Sequence, residues 1–173
     1  MEQVERTTGK LAGKYLTFGL GNEQYGIRIM QIKEIIGMLP ITSVPQVPPH
    51  VKGVINLRGK VIPVTDLRLR FGLEEAPYTE RTCIIVVESV AGGLVRPIGV
   101  VVDAVSEVLN IKPEEIEPPP AFDGSVTIDF ILGLAKCAGG VKILLDIDRV
   151  LGDQAPQAPA AAAPGEGEAR QAA

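Results

Sequence analysis

Residues 53–72 read Gly53-Val-Ile-Asn-Leu-Arg-Gly-Lys-Val-Ile-Pro-Val-Thr-Asp66-Leu-Arg-Leu-Arg-Phe-Gly72. Two aliphatic runs flank a turn at Asn56-Leu57-Arg58-Gly59, where Gly59 can take φ > 0 at little cost. Asp66 is a good helix N-cap and Gly72 a natural stop. The stretch therefore predicts strand, turn, strand and a short helix. Residues 133–152 repeat it. Gly133, Gly139, Asp146 and Gly152 match Gly53, Gly59, Asp66 and Gly72 at an offset of 80 with no gap. A second echo precedes the first: Gly26 and Glu34 match Gly99 and Glu107 at an offset of 73. Two echoes in the same order predict two similar β subdomains of roughly 65 residues each, too small to be robust alone and therefore packed on shared aliphatic surface.

The rest of the body agrees. Cys83-Ile84-Ile85-Val86-Val87 and Ile98-Gly99-Val100-Val101-Val102 are β-branched runs of strand length. Fourteen prolines cut the 173 residues into short pieces. Only Met30 to Lys33, Asp66 to Phe71 and Asp146 to Leu151 suggest helical turns. Many short strands between Gly and Pro turns point to small barrels or a sandwich. With aromatics at 4 % and no Trp, the core must be aliphatic. Ile27, Ile29, Val100 and Val102 are its expected members. Residues 1–13 read as a flexible N-terminal arm and 14–152 as the folded body. Residues 153–173 read as a disordered tail, because 14 of these 21 are Ala, Pro or Gly.

Several functions are excluded. No apolar run reaches the ~18 residues of a membrane span, and Met1 to Arg6 lack the apolar stretch of a signal peptide. A net charge of −4 and few aromatics oppose nucleic-acid binding. Cys83 and Cys137 match no zinc spacing and read as two buried thiols. His50, the one histidine, reads as a loop residue. Gly19-Leu20-Gly21 starts a dinucleotide pattern, but Gln24 replaces its third glycine and the segment reads as a hairpin. No catalytic residue, cofactor or metal ligand is expected.

Charge is unevenly spread. Lys52, Arg58, Lys60, Arg68 and Arg70 face one acid, Asp66, between residues 52 and 70. Asp103, Glu107, Glu114, Glu115 and Glu117 face only Lys112 between residues 103 and 117. One reading is a bipolar surface that orients a protein partner. The other is ordinary solvated charge. Arg58 has two readings as well. Its guanidinium projects from the turn toward a partner, or it closes a structural salt bridge.

Five segments together resemble the CheW family of bacterial chemotaxis coupling proteins. They are Tyr25-Gly26-Ile27, Ile32-Lys33-Glu34-Ile35-Ile36, residues 51–59, residues 61–68 and residues 98–105. The string Gly53-Val-Ile-Asn-Leu-Arg-Gly followed by Pro63-Val-x-Asp-Leu-Arg is highly specific. The resemblance covers the body, about Lys14 to Gly152. It implies a mainly all-β chain of two SH3-like five-stranded β-barrel subdomains on a shared aliphatic core, with short helices. It further implies a non-catalytic, cytoplasmic adaptor in a two-component system. Such an adaptor links the regulatory domain of the CheA histidine kinase to the cytoplasmic tip of chemoreceptors. It reaches membrane arrays only through protein partners. Arg58 is implied in coupling, and Ile32 and Glu34 in or near binding surfaces.

A helical hairpin tip needs an apolar trough with a polar rim. Ile32 and Ile35 beside Glu34, with Val105 and Val108 beside Glu107 in the second echo, are the candidate strips. The plainer reading makes all four aliphatics barrel core.

Overall fold

The computed structural model describes residues 10–91, 94–119, 130–137 and 140–152. In chain order these form β1 (Gly13–Leu20), β2 (Glu23–Arg28), a 3₁₀ turn (Ile29–Gln31), β3 (Ile32–Gly37), β4 (Val51–Leu57), β5 (Lys60–Asp66) and α1 (Leu67–Arg70). There follow β6 (Cys83–Ala91), β7 (Leu94–Val102), β8 (Ala104–Ile111), a 3₁₀ turn (Pro113–Glu115), β9 (Ile116–Glu117), β10 (Ile131–Cys137), β11 (Gly140–Leu145) and α2 (Ile147–Gly152). The Asp66 side chain accepts the Arg68 N–H at 2.9 Å and so caps α1.

Two sheets result. One runs β8-β1-β2-β11-β10-β9 and the other β3-β6-β7-β5-β4. The first has a sixth strand because the two-residue β9 pairs with Leu134 and Ala135 at its edge. Both echoes are visible in the pairing. Val64 of β5 stands opposite Gly99 of β7, and Leu144 of β11 stands opposite Gly26 of β2, both in parallel register. The first of each pair is related by the offset of 80 and the second by 73.

The consecutive halves do not fold as separate units, and this corrects the simplest expectation from the repeat. β1 and β2, from the first half, join β8 to β11 of the second. β6 and β7, from the second, join β3 to β5 of the first. The exchange happens where β2 passes into β3 through Ile29–Gln31 and where β7 passes into β8 at Asp103. Exchanging strands gives two marginal units one extensive common core.

That core holds Leu16, Phe18 and Ile27 from one sheet, Ile85, Val87, Val100 and Val102 from the other, and Val150 and Leu151 from α2. Burying each such side chain contributes about 1.5–3 kcal/mol. Each sheet also covers its own smaller cluster, around Tyr15, Ile111 and Leu144 in one and Ile55, Ile62 and Val86 in the other. Ile27, Val100 and Val102 are buried as expected. Ile29 is only partly so because it opens the 3₁₀ turn rather than continuing β2.

Two glycines of the repeat are explained by close backbone approach. A Cβ on Gly53 would lie 2.0 Å from the Thr42 carbonyl oxygen, and one on Gly133 would lie 2.9 Å from that of Glu117. Thr42 bridges Val54 just as Glu117 pairs with Leu134, so the second crossing is also part of the repeat.

Leu11, assigned to the arm from sequence, is 7 % exposed and packs with Tyr15, whose hydroxyl donates to its carbonyl at 2.6 Å. The packed body thus takes in Leu11, ahead of Lys14. The remainder of the expected arm, residues 1–9, and the expected tail, 153–173, lie outside the described residues, as does Gly139.

Candidate partner-binding surface

The β4–β5 turn has two residues, and Arg58 (φ 53°) and Gly59 (φ 87°) both adopt the left-handed region. This is the type I′ geometry that matches strand twist. The Asn56 side-chain carbonyl accepts the Gly59 N–H at 2.8 Å. A residue with a Cβ in this region costs about 1–2 kcal/mol, a cost typically retained where a side chain must be aimed.

What Arg58 is aimed at is Glu34. Its two terminal nitrogens donate to the two carboxylate oxygens at 2.7 Å each. The pair is bidentate, yet the Arg58 side chain remains 70 % exposed, against 22 % for Glu34. The Arg58 hydrogen bonds hold the Glu34 carboxyl below its ordinary range. Arg58 therefore closes a salt bridge within the chain while its side chain stands in solvent.

Edge strands β3 and β8 carry the other expected residues. A bulge between Ile32 and Glu34 turns the chain over. Ile32 lies opposite Val87 and Ile35 opposite Ile85, which belong to the shared core, whereas Glu34 lies opposite Val86 of the other cluster. The two isoleucines thus share one face, and Glu34 occupies the other. On β8, Val105 and Val108 lie opposite Phe18 and Leu16, again on the shared-core face. Ile32 and Val105 are half-buried against that core, but Ile35 and Val108 are 44 % and 50 % exposed. The four divide into two that support the barrels and two that reach solvent. Buried Thr17 ties down the β8 bulge. Its hydroxyl donates to the Glu107 carbonyl at 2.8 Å and accepts the Glu107 N–H at 3.2 Å.

The basic stretch is largely neutralised within the chain. Lys52 pairs with Glu75 at 2.6 Å, and Arg68 binds Asp103 through two 2.8 Å hydrogen bonds. Arg70 donates to the Val150 carbonyl and lies over the Phe130 ring. On the acidic side Glu117 pairs with Lys136, and Glu115 caps the turn at Lys112. The bipolar surface is thus smaller than the charge count suggests. Cys83 and Cys137 are half-buried free thiols, each pushed up by burial. His50 lies in the loop before β4.

A cavity of about 140 Å³ opens beside Glu34 and Arg58, over Leu57, Ile62 and Val86. Sequence reasoning missed it. The Arg-Gly turn marked the place, but Leu57 read as part of that turn and Ile62 and Val86 only as strand residues.

The family model for the CheW-like domain matches residues 14–155. The chain belongs to the CheW-like family. It is 38 % identical over 153 residues to chemotaxis protein CheW of Klebsiella aerogenes, covering 86 % of this chain and 90 % of that one. With chemotaxis protein CheW of Bacillus subtilis the identity is 33 % over 150 residues, covering 86 % and 92 %. The crystal structure of scaffolding protein TtCheW from Thermoanaerobacter tengcongensis superposes with a TM-score of 0.70 at 36 % identity, covering 81 % of this chain and 92 % of that one. The CheW-like chain is accordingly a non-catalytic chemotaxis scaffolding protein, mainly β, with two β subdomains.

Proposed function

We propose that this chain couples chemoreceptors, the methyl-accepting chemotaxis proteins, to the CheA histidine kinase in signalling arrays. Its two partners are the regulatory domain of the kinase, met barrel to barrel, and the cytoplasmic tip of the receptor. No helix among the described residues is long and apolar enough to cross a membrane. In this reading the chain works in the cytoplasm and reaches the membrane through its partners. The observation that carries the proposal is the Arg58–Glu34 pair. A strained turn is maintained to hold a bidentate ion pair in solvent, where such a pair contributes little to stability. A partner surface accounts for that arrangement better than folding does. Exposed Ile35 and Val108 on the two edge strands supply apolar contacts for a helical tip. Ile32 and Val105, half-buried against the shared core, anchor the two strands that carry them.

Two binary assays test the reading. The chain should sediment with receptor-containing membranes, and it should retain the kinase regulatory domain on an affinity resin. Failure of either interaction removes the coupling role.

A further inference from the structure

The cavity beside Arg58 carries an inference about what a partner presents to it. Its floor is aliphatic: Ile62 and Val86 are buried and Leu57 is half-buried. At about 140 Å³ it compares with engineered apolar cavities of about 150 Å³ that admit benzene. It therefore has room for one leucine-, isoleucine- or phenylalanine-sized side chain. Its rim is cationic. Lys33, Arg58 and Lys60 stand against Glu34 alone, and Glu34 is already engaged by Arg58. Lys60 has no ion pair among the described residues, and Lys33 acts only at a distance on Glu34. Glu88, on the strand that supplies Val86, is exposed but does not line the cavity.

We propose that this cavity is a receptacle for an acidic peptide segment. One apolar side chain sits on Leu57, Ile62 and Val86, and flanking carboxylates meet Lys33 and Lys60. Apolar floor and positive rim select together. A basic segment is repelled by the rim, and an acidic segment without an anchor leaves the floor unfilled. The inference deepens the coupling proposal by giving the chemistry of a bound segment. It rests on that proposal only in sharing the Arg58 rim.

The test uses the full chain and three labelled peptides: Glu-Glu-Leu-Glu-Glu, the same with alanine for leucine, and Lys-Lys-Leu-Lys-Lys. Fluorescence anisotropy should show the first binding at least about tenfold more tightly than either other, with affinity falling as salt rises. The Lys33→Gln and Lys60→Gln double variant should lose about tenfold. Methyl resonances of Leu57, Ile62 and Val86 should shift on addition of the first peptide to the unmodified chain. Equal binding of the leucine and alanine peptides would overturn the proposal. So would shifts confined to other methyls, or no binding at about millimolar peptide. Acidic-peptide binding without receptor or kinase binding would keep the receptacle and reject the coupling role. Receptor and kinase binding without peptide binding would do the reverse.

Discussion

The carboxylate of Glu34 and the guanidinium of Arg58 meet in two 2.7 Å hydrogen bonds, bridging edge strand β3 and the β4–β5 turn. The pair is exposed, so its removal should disturb binding more than folding. Arg58→Ala should keep an unfolding midpoint close to that of the parent while weakening coupling, with about 1–4 kcal/mol of binding lost. Unfolding curves followed by kinase stimulation with receptor present check this. Ready unfolding with normal binding per folded molecule would make Arg58 structural.

The strained turn gives a second expectation. Arg58→Ala and Arg58→Gly both lose the Glu34 pair, but only alanine retains a Cβ at φ 53°. The glycine variant should be more stable than the alanine variant by about 1 kcal/mol. Urea unfolding of the two measures the difference.

The shared core is less forgiving. Val100 is fully buried between the two sheets. Val100→Asp places a charge there at a cost of several kcal/mol, and the product should be insoluble or largely unfolded. A soluble, fully folded variant would contradict the register of β7.

Asp103 joins the β7–β8 crossover to α1 through Arg68 and accepts the Gly21 N–H at 2.8 Å. Burial pushes its carboxyl up, but the Arg68 hydrogen bonds and the Gly21 N–H pull it further down, so the net shift is downward. A folded value below the unfolded one means that the stabilisation is present above about pH 4 and is lost as pH falls through the folded value. Asp103→Asn should therefore lower stability by about 1 kcal/mol at neutral pH, the pair being partly solvent-screened. The gap from the parent should close on acidification. Urea midpoints of both proteins between neutral and acid pH give the answer.

Ile35 and Val108 separate binding from folding better than Ile32 and Val105 do. Ile35→Ser with Val108→Ser should remain soluble and retain the kinase but lose receptor membranes. Ile32→Ser should lower the melting temperature, because its side chain packs on the shared core. Equal loss of both partners by the first variant would move the receptor site elsewhere.

The equivalences Val64 with Leu144 and Gly99 with Gly26 were legible because a repeated backbone environment demands repeated residues. Gly53 and Gly133 recur because each must admit a crossing chain. The strand exchange was not legible. A repeat states which segments are alike, whereas the crossovers at Ile29–Gln31 and Asp103 decide which copies pair. The faces of Ile32 and Glu34 were hidden for a related reason. Alternation assigns faces by parity, and one bulge residue at Lys33 reverses it. Arg58 could be placed in a turn from its neighbours, but its contact with Glu34 depends on the sheet β3-β6-β7-β5-β4 bringing its two edges together, which no local pattern states.

The coupling role is tested most directly by sedimenting CheA kinase with receptor-containing membranes in the presence and absence of this chain. The account predicts that kinase enters the pellet and is stimulated when the unmodified chain is added, and that Arg58→Ala reduces both effects. Kinase that pellets to the same extent without the chain, or stays in the supernatant with it, would contradict the account.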